Sequence, residues 1–418
     1  MRIPNMEFGL RQHIYQGAGC VSTIKDILAR ENWTRVLLVC GPTLYKSGAV
    51  KHIENHIKES GAQVEAFTNI RPNPEAETID NEGVKLALKF KPDVIVACGG
   101  GSTLDTAKGI AIVGDSGKPV LDFIIPKFPP GTKATHNTLP MVAIPTTAGT
   151  GSEVCKNAVI SDKDGLKLVI AHDAIVPKYA LLDPDLLKTM PASVAAATTM
   201  DAFVQALETY TNRNANDFTR TQSLRALELV GKYIRAYVAN PADEEAANGI
   251  SLACMYAGFS LGYAGIGQVH ILSHPLGEAP FDIAHGDACA MLLPAVIEFN
   301  GLACKELYRA AYNALTGEHL TSAEFEVQYL IDWVVELNSD IHVCRDKSFS
   351  DYGYVEKEHL EMIMQHPIVS GALARNGTAD STEFPRHTSA DDMRYLVKRT
   401  AIYSQAQADF AKALLEDV

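Results

Sequence analysis

Asp201 and Gln205 stand four residues apart in an alanine-rich stretch, so on a helix they share one face. His270 and His274 have the same spacing, and Pro275 ends or kinks the helix that carries them. His285 follows, just ahead of Gly286 and Asp287, at an expected helix start. Imidazole nitrogens and a carboxylate oxygen together suit Zn2+, Fe2+ or Mn2+. The spacing is not the HExxH signature. Taken one at a time, each of these histidines reads more often as a satisfied core or surface group than as a ligand.

A second chemistry is written in glycines. Gly99, Gly100, Gly101 and Ser102 lie between an apolar run and a helix expected to open at Thr103. At the C-terminal end of a parallel strand, backbone N–H groups and a helix N-terminus can face a pyrophosphate. The pattern is neither GxGxxG nor a P-loop, and alone it also fits a tight turn. Thr146, Thr147, Ala148, Gly149, Thr150 and Gly151 form a second small-residue cluster after another apolar run. Two such loops after two strands of one sheet favour a nucleotide crevice over a hairpin entry.

The elements that must position these groups fall into two textures. Arg35–Cys40, Gln63–Phe67, Asp93–Cys98, Met141–Ile144 and Tyr179–Asp183 read as short buried strands, alternating with helical patterns at 44–60 and 75–90. Val154–Ser161 and Lys167–Ala171 read as a ribbon turning at Lys163-Asp164-Gly165. Beyond Met190 the pattern is almost wholly helical: 192–211, 218–239, 244–263, 287–299, 303–316, 323–337 and 390–415. Thr321 or Ser322 is the expected cap of one helix, and Ser389 with Asp391 and Asp392 of the last. The segment 371–388 reads as a polar loop. The expectation is an α/β chain: a Rossmann-like parallel-sheet nucleotide-binding domain over 1–188 and an all-helical domain over 189–418.

Composition narrows the classes of function. Of 418 residues, 47% are hydrophobic and 21% charged, the balance of a soluble globular chain. The net charge of −13 argues against a nucleic-acid partner. No run approaches the roughly 18 apolar residues of a membrane span, and residues 1–10 lack a secretory pattern. Eight scattered cysteines without a CxxC pair read as buried reduced thiols. These features together lead to a cytoplasmic location as the expectation.

At the residues named above the chain resembles the iron-containing alcohol dehydrogenase family, a branch of the dehydroquinate synthase-like superfamily. GGGSTLDTAKG at 99–109, IPTTAGTGSEV at 144–154, DAFVQALETY at 201–210 and HILSHPLGEAPFDIAHG at 270–286 carry the likeness, in order and over nearly the whole chain. The resemblance implies NAD(P), a divalent metal (iron foremost, zinc or manganese otherwise) and a site in the cleft between the domains. Asp201, His270 and His285 become expected metal ligands. His274 becomes the residue expected to move the proton. Gly99, Gly100, Gly101 and Ser102 are expected on the pyrophosphate. Asp105, Thr146, Thr147 and Thr150 are expected to line the nucleotide and nicotinamide, Asp105 as a catalytic candidate beside His274. Lys167 is expected near the cofactor.

Two positions depart from the family pattern. Gln205 stands where a histidine is usual, so the fourth expected ligand is an amide, a weaker and harder donor. Gly41 stands where NAD-preferring members often carry an aspartate that repels a 2′-phosphate; nothing acidic does so here, which leans the expectation to NADP. The implied reaction is hydride transfer between nicotinamide and a small primary alcohol or aldehyde, with the metal as Lewis acid. A dehydroquinate synthase-like lyase or cyclase, and a non-catalytic nucleotide-binding or scaffold member, are the alternatives. Lys156, beside Asn157, is either a contact for an anionic aldehyde or a solvent-facing ribbon lysine. A homodimer or larger homo-oligomer is implied, with 8–15 as a strand pairing across subunits.

Overall fold

Alternate residues of the apolar runs go to opposite sides of one sheet. Val36, Leu38 and Cys40 enter one core with Val94, Val96, Val142 and Ile144. Leu37 and Val39 enter another with Ile95, Ala97, Met141 and Ala143. Both faces are buried, which is why the strands read as continuous apolar segments. The computed structural model describes residues 12–125, 127, 132–133, 135–344, 347–376 and 383–416. Contacts divide the chain into two compact units between Lys188 and Thr189.

The N-terminal unit contains β1 (His13–Gln16), β2 (Arg35–Cys40), β3 (Gln63–Phe67), β4 (Val94–Gly99), β5 (Met141–Pro145) and β8 (Tyr179–Leu182), all parallel, in the order β1-β8-β5-β4-β2-β3. β6 (Asn157–Ser161) and β7 (Lys167–Ala171) form a separate antiparallel ribbon. Helices α1 (Ile24–Glu31), α2 (Pro42–Lys46), α3 (Lys51–Glu59), α4 (Ala76–Thr78), α5 (Lys85–Phe90) and α6 (Gly101–Val113) complete the unit. Ile24, Ile27, Ile53 and Ile57 of α1 and α3 cover one face of the sheet, and Leu104, Ala107 and Ile110 of α6 cover the other.

Several boundaries differ from the sequence reading. The helix expected over 44–60 is two helices, parted where Gly48 N–H turns back to the Tyr45 carbonyl. The helix over 75–90 has a π-helical middle, Ile79–Val84. The ribbon begins at Asn157 rather than Val154, because the N–H groups of Val154 and Cys155 are spent on the Gly151 carbonyl. Of the strand expected across subunits, 8–11 lie outside the described residues; β1 pairs with β8 of its own chain.

The second unit is helical: α7 (Ala192–Thr211), α8 (Asp217–Ala239), α9 (Glu244–Ala264), α10 (Gln268–Leu276), α11 (His285–Thr316), α12 (Val327–Asp340), α13 (Glu356–Gln365), α14 (Pro367–Asn376) and α15 (Ala390–Glu416). The two helices expected at 287–299 and 303–316 are one. Asn300 and Gly301 between them are buried, and the Asn300 amide is satisfied by Gln268. Thr321 does not cap a helix: its N–H and hydroxyl hold Glu324 in a turn, and α12 starts later. Ser389 does cap α15: its hydroxyl oxygen accepts from the Asp392 N–H at 3.1 Å, and its own N–H donates back to the Asp392 carboxylate at 2.8 Å. Residues 371–376 of the expected loop belong to α14, and α13 and α14 had no counterpart in the sequence reading.

Among the described residues, α11 is by length and composition apolar enough to cross a membrane, although Glu298 and Asn300 interrupt its apolar run. Of its most apolar window, 78% is buried within the protein, so its apolarity is that of a core helix. None of the eight cysteines is in a disulfide, and seven are buried.

Candidate nucleotide loop and metal centre

In the N-terminal unit, β4 ends at Gly99 and α6 begins two residues on, with Gly100 as its cap. Neighbouring β5 ends level with it, Gly99 opposite Pro145, and the Thr146 N–H donates to the Gly99 carbonyl at 3.1 Å. The two small-residue clusters pack together. A Cβ on Gly101 would lie 2.6 Å from the Thr150 methyl, and one on Gly100 would lie 3.1 Å from Thr147. A side chain at Gly101 would force Thr150 to move, and one at Gly100 would press on Thr147. The N-terminal turn of a 13-residue helix therefore opens beside half-buried Thr146, Thr147 and Thr150. This arrangement can hold an anion on backbone N–H groups.

Two expected nucleotide residues carry side-chain hydrogen bonds within the unit. The Ser102 hydroxyl donates to the Pro72 carbonyl. Asp105 is half-buried, and its two oxygens accept from the Ser152 hydroxyl at 2.7 Å and the Val159 N–H at 2.9 Å. Its carboxylate thus ties α6 to Ser152 and to β6. Burial pushes Asp105 up from the usual carboxylate range, against the pull of Lys108 and its two donors. Lys156 lies 3.7 Å from the Asp173 carboxylate, an ion pair within the unit. Lys167 starts β7, half-buried, and Gly41 caps α2 at the end of β2.

Lys108, which the sequence reading passed over, is fully buried. It donates to the Ser152 hydroxyl at 2.8 Å and to the Cys155 and Asn157 carbonyls at 3.0 and 2.7 Å. With Asp105 it fastens α6 to the segment that follows the threonine cluster.

In the helical unit, Asp201, His270 and His285 come together, as the resemblance implied. Asp201 Oδ1 lies 3.3 Å from His270 Nε2 and 3.6 Å from His285 Nε2. Cys289 joins them: one ligand atom from each of the four lies within 4.8 Å of every other. The Gln205 amide nitrogen donates to Asp201 Oδ1 at 3.0 Å, while its oxygen is buried with no hydrogen-bond partner. An orphaned buried acceptor among carboxylate, imidazole and thiol fits a cation. Asp201, His270 and Cys289 are buried, and the His285 side chain keeps 37% of its exposure, giving the centre one accessible side.

The histidines are held by groups that the sequence reading missed. Glu208 Oε2 lies 2.6 Å from His270 Nδ1, so the other ring nitrogen, Nε2, faces Asp201. The same carboxylate accepts from the N–H groups of Gly267 and Val269 at 2.9 and 2.6 Å, at the opening of α10. A Cβ on Gly267 would lie 2.6 Å from it, so glycine is required there. The Ser273 hydroxyl donates to the His270 carbonyl at 2.8 Å and lies 3.3 Å from His285 Nδ1. With its single proton used, it accepts from Nδ1–H and leaves the His285 Nε2 lone pair facing Asp201. His274 is buried, its ring centroid 5.8 Å from that of His285.

Charge follows from this geometry. Burial disfavours a charged His270 ring, but the hydrogen bonds to Asp201 and Glu208 outweigh it and push His270 up to about 9. Burial would raise Asp201, yet His270, His285 and Gln205 hold it below the usual carboxylate range. Burial, with the charges of Asp201 and Glu208, keeps the Cys289 thiol well above its usual range.

Similarity to known proteins identifies the family. The family described as iron-containing alcohol dehydrogenase matches residues 11–184, and the C-terminal part of the same family matches 195–400. An NADPH-dependent butanol dehydrogenase of Clostridium saccharobutylicum is 30% identical over 97% of this chain and 100% of its own length. An NAD-dependent methanol dehydrogenase of Bacillus methanolicus is 30% identical over 91% of this chain and 96% of its own. The solved structure of a 1,3-propanediol oxidoreductase superposes with a TM-score of 0.83 at 27% identity, over 93% of this chain and 97% of that one. Order of motifs, sheet, helical unit and length of match agree: the chain belongs to the iron-containing alcohol dehydrogenase family, as an alcohol dehydrogenase or aldehyde reductase.

Proposed function

We propose that the protein transfers a hydride between NAD(P) and a small primary alcohol or its aldehyde, with the substrate oxygen held on a divalent metal. The observation that carries the reading is the convergence of Asp201, His270 and His285, three residues remote in sequence, on one small buried centre. In the proposal these residues and Gln205 hold the cation; the amide has only to turn its unsatisfied oxygen inward. When bound, the cation supplies a Lewis acid that polarises the substrate's carbon–oxygen bond.

The chain's own groups divide the remaining work. Glu208 and Ser273 fix the two imidazoles in the tautomer that offers Nε2. His274 supplies or takes the hydroxyl proton. The N–H groups opening α6 bind the pyrophosphate, and Thr146, Thr147 and Thr150 line the nucleotide. Asp105 and Lys108 keep that loop in place from behind.

The cofactor reading leans to NADP. Gly41 has φ −65°, which any residue adopts, and a Cβ there would meet no atom within 4 Å. A carboxylate would fit and is absent, so nothing at the end of β2 repels a 2′-phosphate. The names of the matched relatives carry both cofactors, one NADPH-dependent and one NAD-dependent.

The test is an aldehyde panel with NADPH and with NADH, using chelator-treated protein with and without added Fe2+, Zn2+ or Mn2+. The expected result is metal-dependent oxidation of the nicotinamide, faster with NADPH. Turnover indifferent to chelation and metal would reject the metal role, and absence of net NAD(P)H consumption would reject the oxidoreductase.

A further inference from the structure

We propose that Cys289 is a protein donor to this metal centre, and that its sulfur tilts the site towards zinc and cobalt over manganese. The inference rests on the metal reading above and adds a ligand and a selectivity to it.

The helix supplies the placement. His285 opens α11, and Cys289, one turn later, shares its face. The Cys289 sulfur lies 3.9 Å from His285 Nε2. That nitrogen is 3.6 Å from Asp201 Oδ1, which is 3.3 Å from His270 Nε2. Donors arranged tetrahedrally around zinc, at bonds of about 2.0–2.3 Å, lie about 3.3–3.7 Å from one another. These three edges need a contraction of at most a few tenths of an ångström, and the other three, none longer than 4.8 Å, a contraction of up to about 1.5 Å, for the carboxylate, two imidazoles and thiol to close on one ion.

A second observation points to a cation at the same place. The Gln205 side chain, 4% exposed, stands on Asp201 with its amide oxygen buried and unpartnered. Position 205 offers a hard amide oxygen, so the soft donor of the set comes from position 289. On binding, the Cys289 S–H bond breaks, its proton leaves to solvent, and the sulfur electron pair forms the metal–sulfur bond. No atom is oxidised or reduced. Thiolate favours Zn2+ and Co2+ over Mn2+ and Mg2+.

The experiment uses the full chain, stripped with chelator and reconstituted with Co2+. The expected result is a thiolate-to-cobalt charge-transfer band in the near ultraviolet, retained in Cys304→Ser and lost in both Cys289→Ser and Cys289→Ala while cobalt still binds. Chelator competition should show Zn2+ affinity falling about tenfold or more in Cys289→Ser, with Mn2+ affinity changed less than about twofold. Bound cobalt without the band in the unmodified protein, or a band that survives both Cys289 variants, would overturn the proposal and leave the metal reading standing. Failure of the protein to bind cobalt or zinc at all would overturn both.

Discussion

Glu208 Oε2 stands 2.6 Å from His270 Nδ1, and the same carboxylate takes the N–H groups that open α10. One buried side chain thus sets both the direction of an expected ligand and the position of the helix that carries it. Glu208→Gln would keep the shape but point an N–H at donors. Second-sphere changes of this kind typically cost about 10–100-fold in metal affinity, and that is the expected fall, measured by chelator competition. Restoration in Glu208→Asp is expected to be partial. An unchanged metal affinity in Glu208→Gln would remove Glu208 from the account.

The charge on His270 makes the metal-free protein sensitive to alkali. Burial opposes the charged ring, but hydrogen bonding to Asp201 and Glu208 outweighs it, lifting the group from 6.5 to about 9. A histidine raised in the folded state stabilises the fold fully below its unfolded value of 6.5, and that stability drains away as pH climbs through about 9. The thermal midpoint of chelated protein should therefore drop by several degrees across this window. Metal-loaded protein, in which the neutral ring is the ligand, should not follow it. A flat midpoint in the chelated protein would contradict the assignment.

Cofactor preference should move with one residue. Because Gly41 has ordinary backbone angles and open space around it, Gly41→Asp should fold normally. Its carboxylate would repel a 2′-phosphate and accept from a ribose 2′-hydroxyl. The kcat/KM for NADPH is expected to fall about tenfold or more relative to that for NADH. A ratio left where it was would show that the end of β2 does not meet the adenosine ribose.

Lys108 offers a test of how the nucleotide loop is supported. Removing a buried donor leaves each of its buried acceptors unsatisfied, typically at about 1–3 kcal/mol. Lys108→Met would strand Asp105 and release the carbonyls of Cys155 and Asn157. Denaturant unfolding should show a loss of that order, with weaker NADPH binding. A loss below about 1 kcal/mol would mean the network carries little.

Much of this protein is legible in its sequence because its signals are local. The strands read correctly because burial on both faces leaves continuous apolar runs such as Arg35–Cys40. Asp201, His270 and His285 were found through motif resemblance, since helical spacing alone could not say that α7, α10 and α11 meet. Cys289 was hidden by its neighbours: a cysteine in an apolar helix reads as a core thiol, although its spacing of four from His285 was visible. Glu208 was likewise within reach, seven residues after Asp201 and on the same helical face. The partners of Asp105, Ser152 and Val159, were not legible, because motif matching gives position without direction. The fused α11 escaped because the partner that buries Asn300, Gln268, is remote in sequence.

The most direct test of the account is the metal content and aldehyde-dependent NADPH oxidation of His270→Ala beside the unmodified protein. The account predicts one tightly held metal per chain in the unmodified protein. In the variant it predicts loss of that metal and a fall in kcat of at least about a hundredfold. Full turnover by a metal-free His270→Ala protein would contradict it.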